Sequence, residues 1–430
     1  MMIMCNEITV VPKSADRCHY VSWGDIVMIV IIGAGLAGLT AGRALLNAGC
    51  RDFMIYERET QVGGRLATET DGEFLYDVGF AVLNPAYPMT AKYLTLSELG
   101  LQYFDAGAVL LHGKGQMSTL FDPLSHPERA LSMMAQRFPS WGDRLRTLAL
   151  RLQPKAPQRP RDDGATALEG LRLLGFSEAY IESFFRPFFA GVFLDRDLSV
   201  SEELFRYLFA FFSQSRVALP AGGMNAVAVN LAKAIPQDHL RFGVAVESIR
   251  NGKITLSDGT VVQPKATILA VDARAAATLM ADQSDPPFRS VTTAYFAAAS
   301  RPWRSRLLAL NSSGQGWVNH LATLSDIQPS YARKGRHLVA VSGVLPLPTQ
   351  SSAQAQDFLR HELTGLLGPE AARWECLRTY QVDHALPVQF GRKGYESEGL
   401  IFAGDYMENP SIQGAMLSGE KAAHIVLQRR

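Results

Sequence analysis

Residues 26–32, IVMIVII, run directly into Gly33-Ala34-Gly35-Leu36-Ala37-Gly38 and then into a helical pattern, LTAGRALLNAG. A continuous β-branched run suits a central parallel strand, because both of its faces are covered. Strand, glycine turn and helix in that order give G-x-G-x-x-G a definite chemistry. Gly33 permits the turn, Gly35 lets the backbone approach a pyrophosphate, and Gly38 lets the helix pack against the strand. The phosphates would rest at the positive end of that helix. Gly49 caps the helix before a second strand, DFMIYE, which ends at Glu57, 19 residues after Gly38. An acid at this distance binds both hydroxyls of an adenosine ribose and repels a ribose phosphate, which argues against NADP. The fingerprint leaves NAD and FAD both open.

At 430 residues the chain is too long for one ordinary core, so two intimately packed domains are expected. A formal net charge of +1, with no lysine or arginine run, gives no case for a nucleic-acid partner. The four cysteines, Cys5, Cys18, Cys50 and Cys376, lack paired or metal-like spacing, so no metal is expected and a reducing, cytoplasmic setting fits. The longest apolar stretch, Ile26 to Leu39, is well short of the roughly 20 residues that span a bilayer. Residues 1–27 lack a signal-peptide pattern and are expected to be a loose extension, with Met28 at the first strand a candidate start.

The segments after Glu57-Arg58 decide the cofactor. Gly63-Gly64-Arg65-Leu66 and Tyr76-Asp77-Val78-Gly79-Phe80 follow it. Near the other end, Gly399 to Asp405 reads as a buried strand closing in a polar turn, and Pro410-Ser411-Ile412-Gln413-Gly414-Ala415 opens a last helix. With these motifs the chain resembles the flavin amine oxidase superfamily, which includes monoamine and polyamine oxidases, protoporphyrinogen oxidase and the phytoene desaturases. The resemblance implies an α/β fold with a Rossmann-type FAD-binding domain and a second α+β substrate domain built on an antiparallel sheet. It implies that FAD lies along Gly33, Gly35, Leu36, Ala37 and Gly38, with Glu57 and Arg58 at the adenosine end. Gly64, Arg65, Leu66, Gly79 and Phe80 would follow the pyrophosphate and ribityl chain, Arg65 supplying a fork of donors. Gly404 and Asp405 would meet the ribityl hydroxyls. Gln413, Gly414 and Ala415 would present a helix N-terminus to the pyrimidine edge. Val246, in the segment VAVESIRNGKITLSDGTVV, would contact the adenine through its backbone, and Leu219 to Met224 just upstream also fits the family pattern.

The FAD domain is then discontinuous, residues 28–95, 216–288 and 386–430, with 96–215 and 289–385 forming the substrate domain. The second substrate piece holds strand candidates, VTTAYFAAAS, SRLLALN, GWVNHLATLSD and RHLVAVSGV, while the first reads as helical and is broken by a Pro-rich loop, Gln153 to Gly164. Two aromatic-dense stretches, Phe184 to Phe189 and Leu204 to Phe212, read either as helical core or as the wall of a cavity for a bulky apolar substrate. Peripheral contact with a membrane surface is another reading of the same stretches.

The same overlay argues against the family's most familiar reaction. Many amine oxidases place a lysine where this chain has Thr293, and the aromatic-cage position corresponds to Ser411. The covalent cysteine of some members has no counterpart before the final motif, which reads Asp383-His384-Ala385-Leu386-Pro387, so FAD is expected to be non-covalent. His384 is a weak candidate for moving a proton, and His320 a weaker one. No second G-x-G-x-x-G is present, so electrons would leave to dioxygen, a quinone or another acceptor. The expected function is therefore an FAD-dependent oxidoreductase taking hydride from a hydrophobic, isoprenoid- or tetrapyrrole-like molecule. Amine oxidation is the alternative. A non-catalytic prenyl-binding protein of the same architecture would have little use for Glu57, Gly64, Arg65 and Asp405 together.

Overall fold

The computed structural model describes residues 28–122, 125–126, 138–152, 160, 164–333, 335–348, 351–392 and 394–429. The expected extension, residues 1–27, and most of the Pro-rich loop from Gln153 lie outside the described residues.

The described chain begins with β1 (Ile29–Ile32), α1 (Leu36–Asn47) and β2 (Phe53–Tyr56). A first excursion carries the hairpin β3 (Gly107–Gly113) and β4 (Gln116–Phe121), then α2 (Trp141–Leu152), α3 (Arg186–Phe193) and α4 (Glu202–Gln214). The chain returns as β5 (Leu240–Arg241), β6 (Val246–Arg250) and β7 (Ala266–Leu269). It leaves again as β8 (Phe288–Ala298), β9 (Leu308–Asn311), β10 (His320–Thr323), β11 (His337–Gly343), α5 (Ser352–Leu367) and β12 (Glu375–Pro387). It finishes with β13 (Glu396–Ser397), β14 (Leu400–Phe402) and α6 (Ile412–Gln428).

The first sheet has the order β13-β14-β7-β1-β2-β5, parallel except for the β13–β14 edge. β1 lies inside it, and its residues divide by parity. Ile29 and Ile31 pack in the core that holds α1 and α6, whereas Val30 and Ile32 pack with Ile254 and Leu256 of the meander that begins at β6. The glycines of α1 and α6 permit this closeness. A Cβ on Gly38 would stand 1.9 Å from the Gly33 carbonyl oxygen, and one on Gly419 would stand 2.0 Å from that of Ala37.

The second sheet has the order β12-β8-β11-β10-β9-β3-β4 and is antiparallel except where β9 runs parallel to β3. One of its faces packs on Leu359, Leu363 and Leu366 of α5. One expectation needs correction here. The first excursion is not purely helical, because β3 and β4 extend this sheet; Ala108 to Leu111 are all buried, and Lys114 and Gly115 make the tight turn with φ of 53° and 74°.

Candidate active site

A cavity of about 1200 Å³ is lined by residues from both sheets and from α2, α3 and α4. At one end lies the glycine turn. Gly35 is the N-cap of α1 and carries no side chain, and a Cβ built on it would meet no atom within 4 Å. The first amides of α1 therefore face open space, the arrangement an anionic pyrophosphate requires. Gly33, Leu36 and Ala37 line the cavity beside it, but Gly38 does not, being committed to helix–strand packing.

Glu57 directly follows β2 on the cavity wall. Its Oε2 accepts from the Ala34 amide at 2.6 Å and its Oε1 from the Glu59 amide at 3.0 Å. Two backbone donors thus fix the carboxylate, and its remaining lone pairs can accept from vicinal hydroxyls. The Glu57 carbonyl in turn accepts from the Val244 amide at 3.0 Å, which brings Val246 to the cavity; Arg58 lines it as well.

The Gly63-Gly64-Arg65 loop is clamped onto the glycine turn. The Gly63 amide donates to the Ala34 carbonyl at 3.0 Å, and Gly64 lies against Gly35. Asn225 Nδ2 holds the loop from behind, donating to the carbonyls of Val62 at 2.7 Å and Leu66 at 2.9 Å. Sequence reasoning stopped one residue short of Asn225, at the Leu219–Met224 segment, although that segment was the available signal. Asp77 completes the support, accepting from Thr68 and Tyr331 hydroxyls at 2.6 Å each and from the Met224 amide at 2.8 Å. Burial pushes its carboxyl above the usual range.

Arg65 and Asp405 were read as separate contacts to a cofactor, and the structure pairs them with each other. Two parallel bonds of 2.9 and 2.7 Å join guanidinium to carboxylate across 340 residues, and a third from Arg65 reaches the Ala385 carbonyl at 2.8 Å. Gly64, Arg65, Leu66, Gly79, Phe80, Gly404 and Asp405 all line the cavity. At the start of α6, Ser411, Ile412 and Ala415 line it while Gln413 and Gly414 do not. Gln413 Oε1 accepts from the Met89 amide at 2.9 Å, and the Gly414 amide is taken by Ser411 Oγ at 3.0 Å.

The other end of the cavity is apolar. Phe184, Phe188, Phe189, Phe209 and Phe212 form its wall, whereas Phe185, Phe193 and Phe205 are buried core. The aromatic stretches therefore contribute both to the core and to the cavity wall. α2 borders the opening, where Trp141 and Leu145 are 56% and 64% exposed.

No lysine lines the cavity among the described residues. Thr293 is buried, and its Oγ1 accepts from the Phe80 amide at 3.1 Å. Asp122, a carboxylate on the apolar end, is paired with Arg151 at 2.7 Å. His384 is corrected as a catalytic candidate: it lies exposed, outside the cavity lining, against Arg274 and the edge of Phe288. The cause is a bulge, since between the pairs Val291↔Val382 and Arg289↔Leu386 β8 advances 2 residues (291 − 289) and β12 advances 4 (386 − 382). His320 does line the cavity, and burial pushes its pKa down to about 4.

The open helix N-terminus, the fixed acid at the end of β2 and the clamped glycine loop fit a dinucleotide. Comparison with known proteins decides which one. The profile of the flavin-containing amine oxidoreductases matches residues 36–427. A carotenoid phi-ring synthase of Streptomyces griseus is 27% identical, over 95% of this chain and 84% of the relative. A phytoene dehydrogenase of the same organism is 45% identical over 60 residues, 14% of this chain and 12% of the relative. Among solved structures, an oxidoreductase from Methanosarcina mazei shares the fold with a TM-score of 0.70 at 17% identity, covering 94% of this chain and all of that one. The chain belongs to the flavin-containing amine oxidoreductases and is an FAD-dependent oxidoreductase.

Proposed function

We propose that the protein dehydrogenates a long, apolar, isoprenoid-like molecule. The apolar end of the cavity carries this reading: five phenylalanines form its wall, no lysine lines it among the described residues, and of the carboxylates there Asp122 is paired with Arg151 while Asp105 accepts from the Arg306 amide at 3.2 Å. A cationic amine would need an unpaired carboxylate there to offset its desolvation. A hydrocarbon needs only apolar surface and exclusion of water. FAD, when bound, accepts hydride from carbon. The chain's own residues hold the cofactor by backbone amides and Glu57, while the phenylalanines keep a C–H bond positioned and dry. Electrons leave to dioxygen, a quinone or a comparable acceptor. The similarity to the carotenoid phi-ring synthase supports the substrate class.

Such a substrate resides in lipid. Trp141, Leu145, Leu148 and Leu152 recur at helical spacing on α2 and are exposed, and the first three also line the cavity. We read this face as a peripheral contact with a lipid surface. No helix among the described residues is long and apolar enough to cross a membrane.

The test is product analysis by mass. Incubation of the FAD-loaded protein with linear polyene precursors should yield a product lighter by a pair of hydrogens. Inert polyenes, with aldehyde released from a primary amine, would overturn the reading.

A further inference from the structure

α2 contributes no phenylalanine to the cavity. On this helix Arg144, Thr147 and Arg151 fall at intervals of three and four residues, so they share one stripe, and all three line the cavity. At 3.6 residues per turn that stripe lies between the buried Asp143 and Leu150 and the exposed apolar face that begins at Trp141. A purely hydrocarbon site has no use for guanidinium groups in its lining, because a chain packed on them removes their water and returns no hydrogen bond.

Of the three, Arg151 is both fixed in place and open to a ligand. Thr147 Oγ1 donates to the Asp143 carbonyl at 2.8 Å, and the Arg144 guanidinium lies over the Trp141 ring, 5.0 Å from its centroid. Arg151 Nη1 donates to Asp122 at 2.7 Å and Nη2 to the Ser213 carbonyl at 3.2 Å. A guanidinium has five N–H groups; these bonds use two and leave three. The Arg151 side chain is 23% exposed while lining the cavity, so the remaining donors are within reach.

The charge is already matched. Asp122 accepts from Arg151 on one carboxylate oxygen and from the Ser125 hydroxyl on the other, at 2.7 Å each. What Arg151 offers a ligand is therefore a set of oriented N–H donors, strengthened by their cationic origin. Ser213 directly follows Phe212, so these donors stand where the phenylalanine wall meets the opening that α2 borders.

We infer that the substrate is oxygenated at one end: a hydroxyl oxygen accepts from Arg151 at the cavity opening, and the apolar chain runs inward along the phenylalanines. This rests on the apolar-substrate reading above and names the end group of that molecule. A methyl terminus would dehydrate the guanidinium edge without replacing its bonds, whereas a hydroxyl restores one, a difference of about tenfold in affinity.

The test uses the FAD-loaded protein titrated with phytanol and phytane, the same branched chain with and without a hydroxyl, and reads the flavin spectrum. Phytanol should bind about tenfold tighter. Arg151→Met combined with Asp122→Asn, which leaves no carboxylate unpaired, should level the two by weakening phytanol alone. Asp122→Asn by itself should keep the preference, and Phe212→Ala should weaken both ligands alike. Equal affinities in the wild-type protein, or a preference that survives in the double variant, overturn the end-group assignment while leaving the apolar cavity intact. Binding of neither molecule overturns the assignment and the substrate reading together. Should the double variant fail to fold, Arg151→Met alone answers the same question.

Discussion

A side chain at position 35 would project from the N-cap of α1 into space where no other atom lies within 4 Å. Gly35→Val is therefore expected to leave the fold intact and block the cofactor, read as flavin-free protein with the melting temperature of wild-type apoprotein; ordinary flavin content in that variant would contradict it. Glu57→Ala removes the acid fixed by the amides of Ala34 and Glu59. Its FAD should bind about tenfold to a hundredfold more weakly, measured by flavin release on dilution. Both positions were legible in the sequence, because each answers a backbone or spacing requirement that the motif itself states. The setting of His320 was not, since it is made by Asn319 just before β10 and by Pro187 and Gly191 on α3, a helix from the other excursion of the chain. The same burial makes His320 a determinant of acid stability. Its folded pKa is about 4 against 6.5 when unfolded. Below about pH 6.5 the unfolded chain takes up a proton that the folded protein refuses, so stability falls as pH drops towards 4, by on the order of 3 kcal/mol in all. His320→Phe should flatten that part of the urea-midpoint profile; identical profiles would contradict it.

Among the elements, β1, α1 and β2 were readable from hydrophobic pattern and glycine position alone, as were the central strands β8 to β11. The β3–β4 hairpin was missed because Lys114-Gly115 lacks the usual asparagine or aspartate, even though both residues have positive φ. The bulge in β12 was also hidden, and it turns His384 outward while Ala385 and Leu386 face the cavity. α3 and α4 could be read as helices, but not which phenylalanines they bury. Phe205→Ala, in the core, should cost about 3–5 kcal/mol of stability. Phe212→Ala, on the cavity wall, should cost less and chiefly raise KM for an apolar substrate. Equal stability losses with unchanged KM would erase that distinction. On α2, Trp141→Asp combined with Leu145→Asp should abolish sedimentation with phosphatidylglycerol–phosphatidylcholine vesicles without altering flavin content, and undiminished sedimentation would remove the proposed lipid contact.

For the whole molecule, the site is a convergence of distant segments. Arg65 meets Asp405 across 340 residues, and Phe80 meets Thr293 across 213. Sequence motifs pointed to the segments that line the polar end of the cavity, because each motif states a backbone or spacing requirement of its own. They left the substrate end open, because a cavity wall is defined by the mutual packing of helices and a sheet from two separate excursions of the chain. That division also explains why the cofactor class follows firmly while the substrate rests on shape and charge. The central claim is that electrons enter from an apolar isoprenoid chain, and anaerobic titration of the FAD-loaded protein tests it most directly. Bleaching of the flavin absorbance by a linear polyene precursor, with none by a primary amine or a porphyrinogen, is the predicted result. Bleaching by the amine at turnover rates, with the polyene inert, would contradict the account.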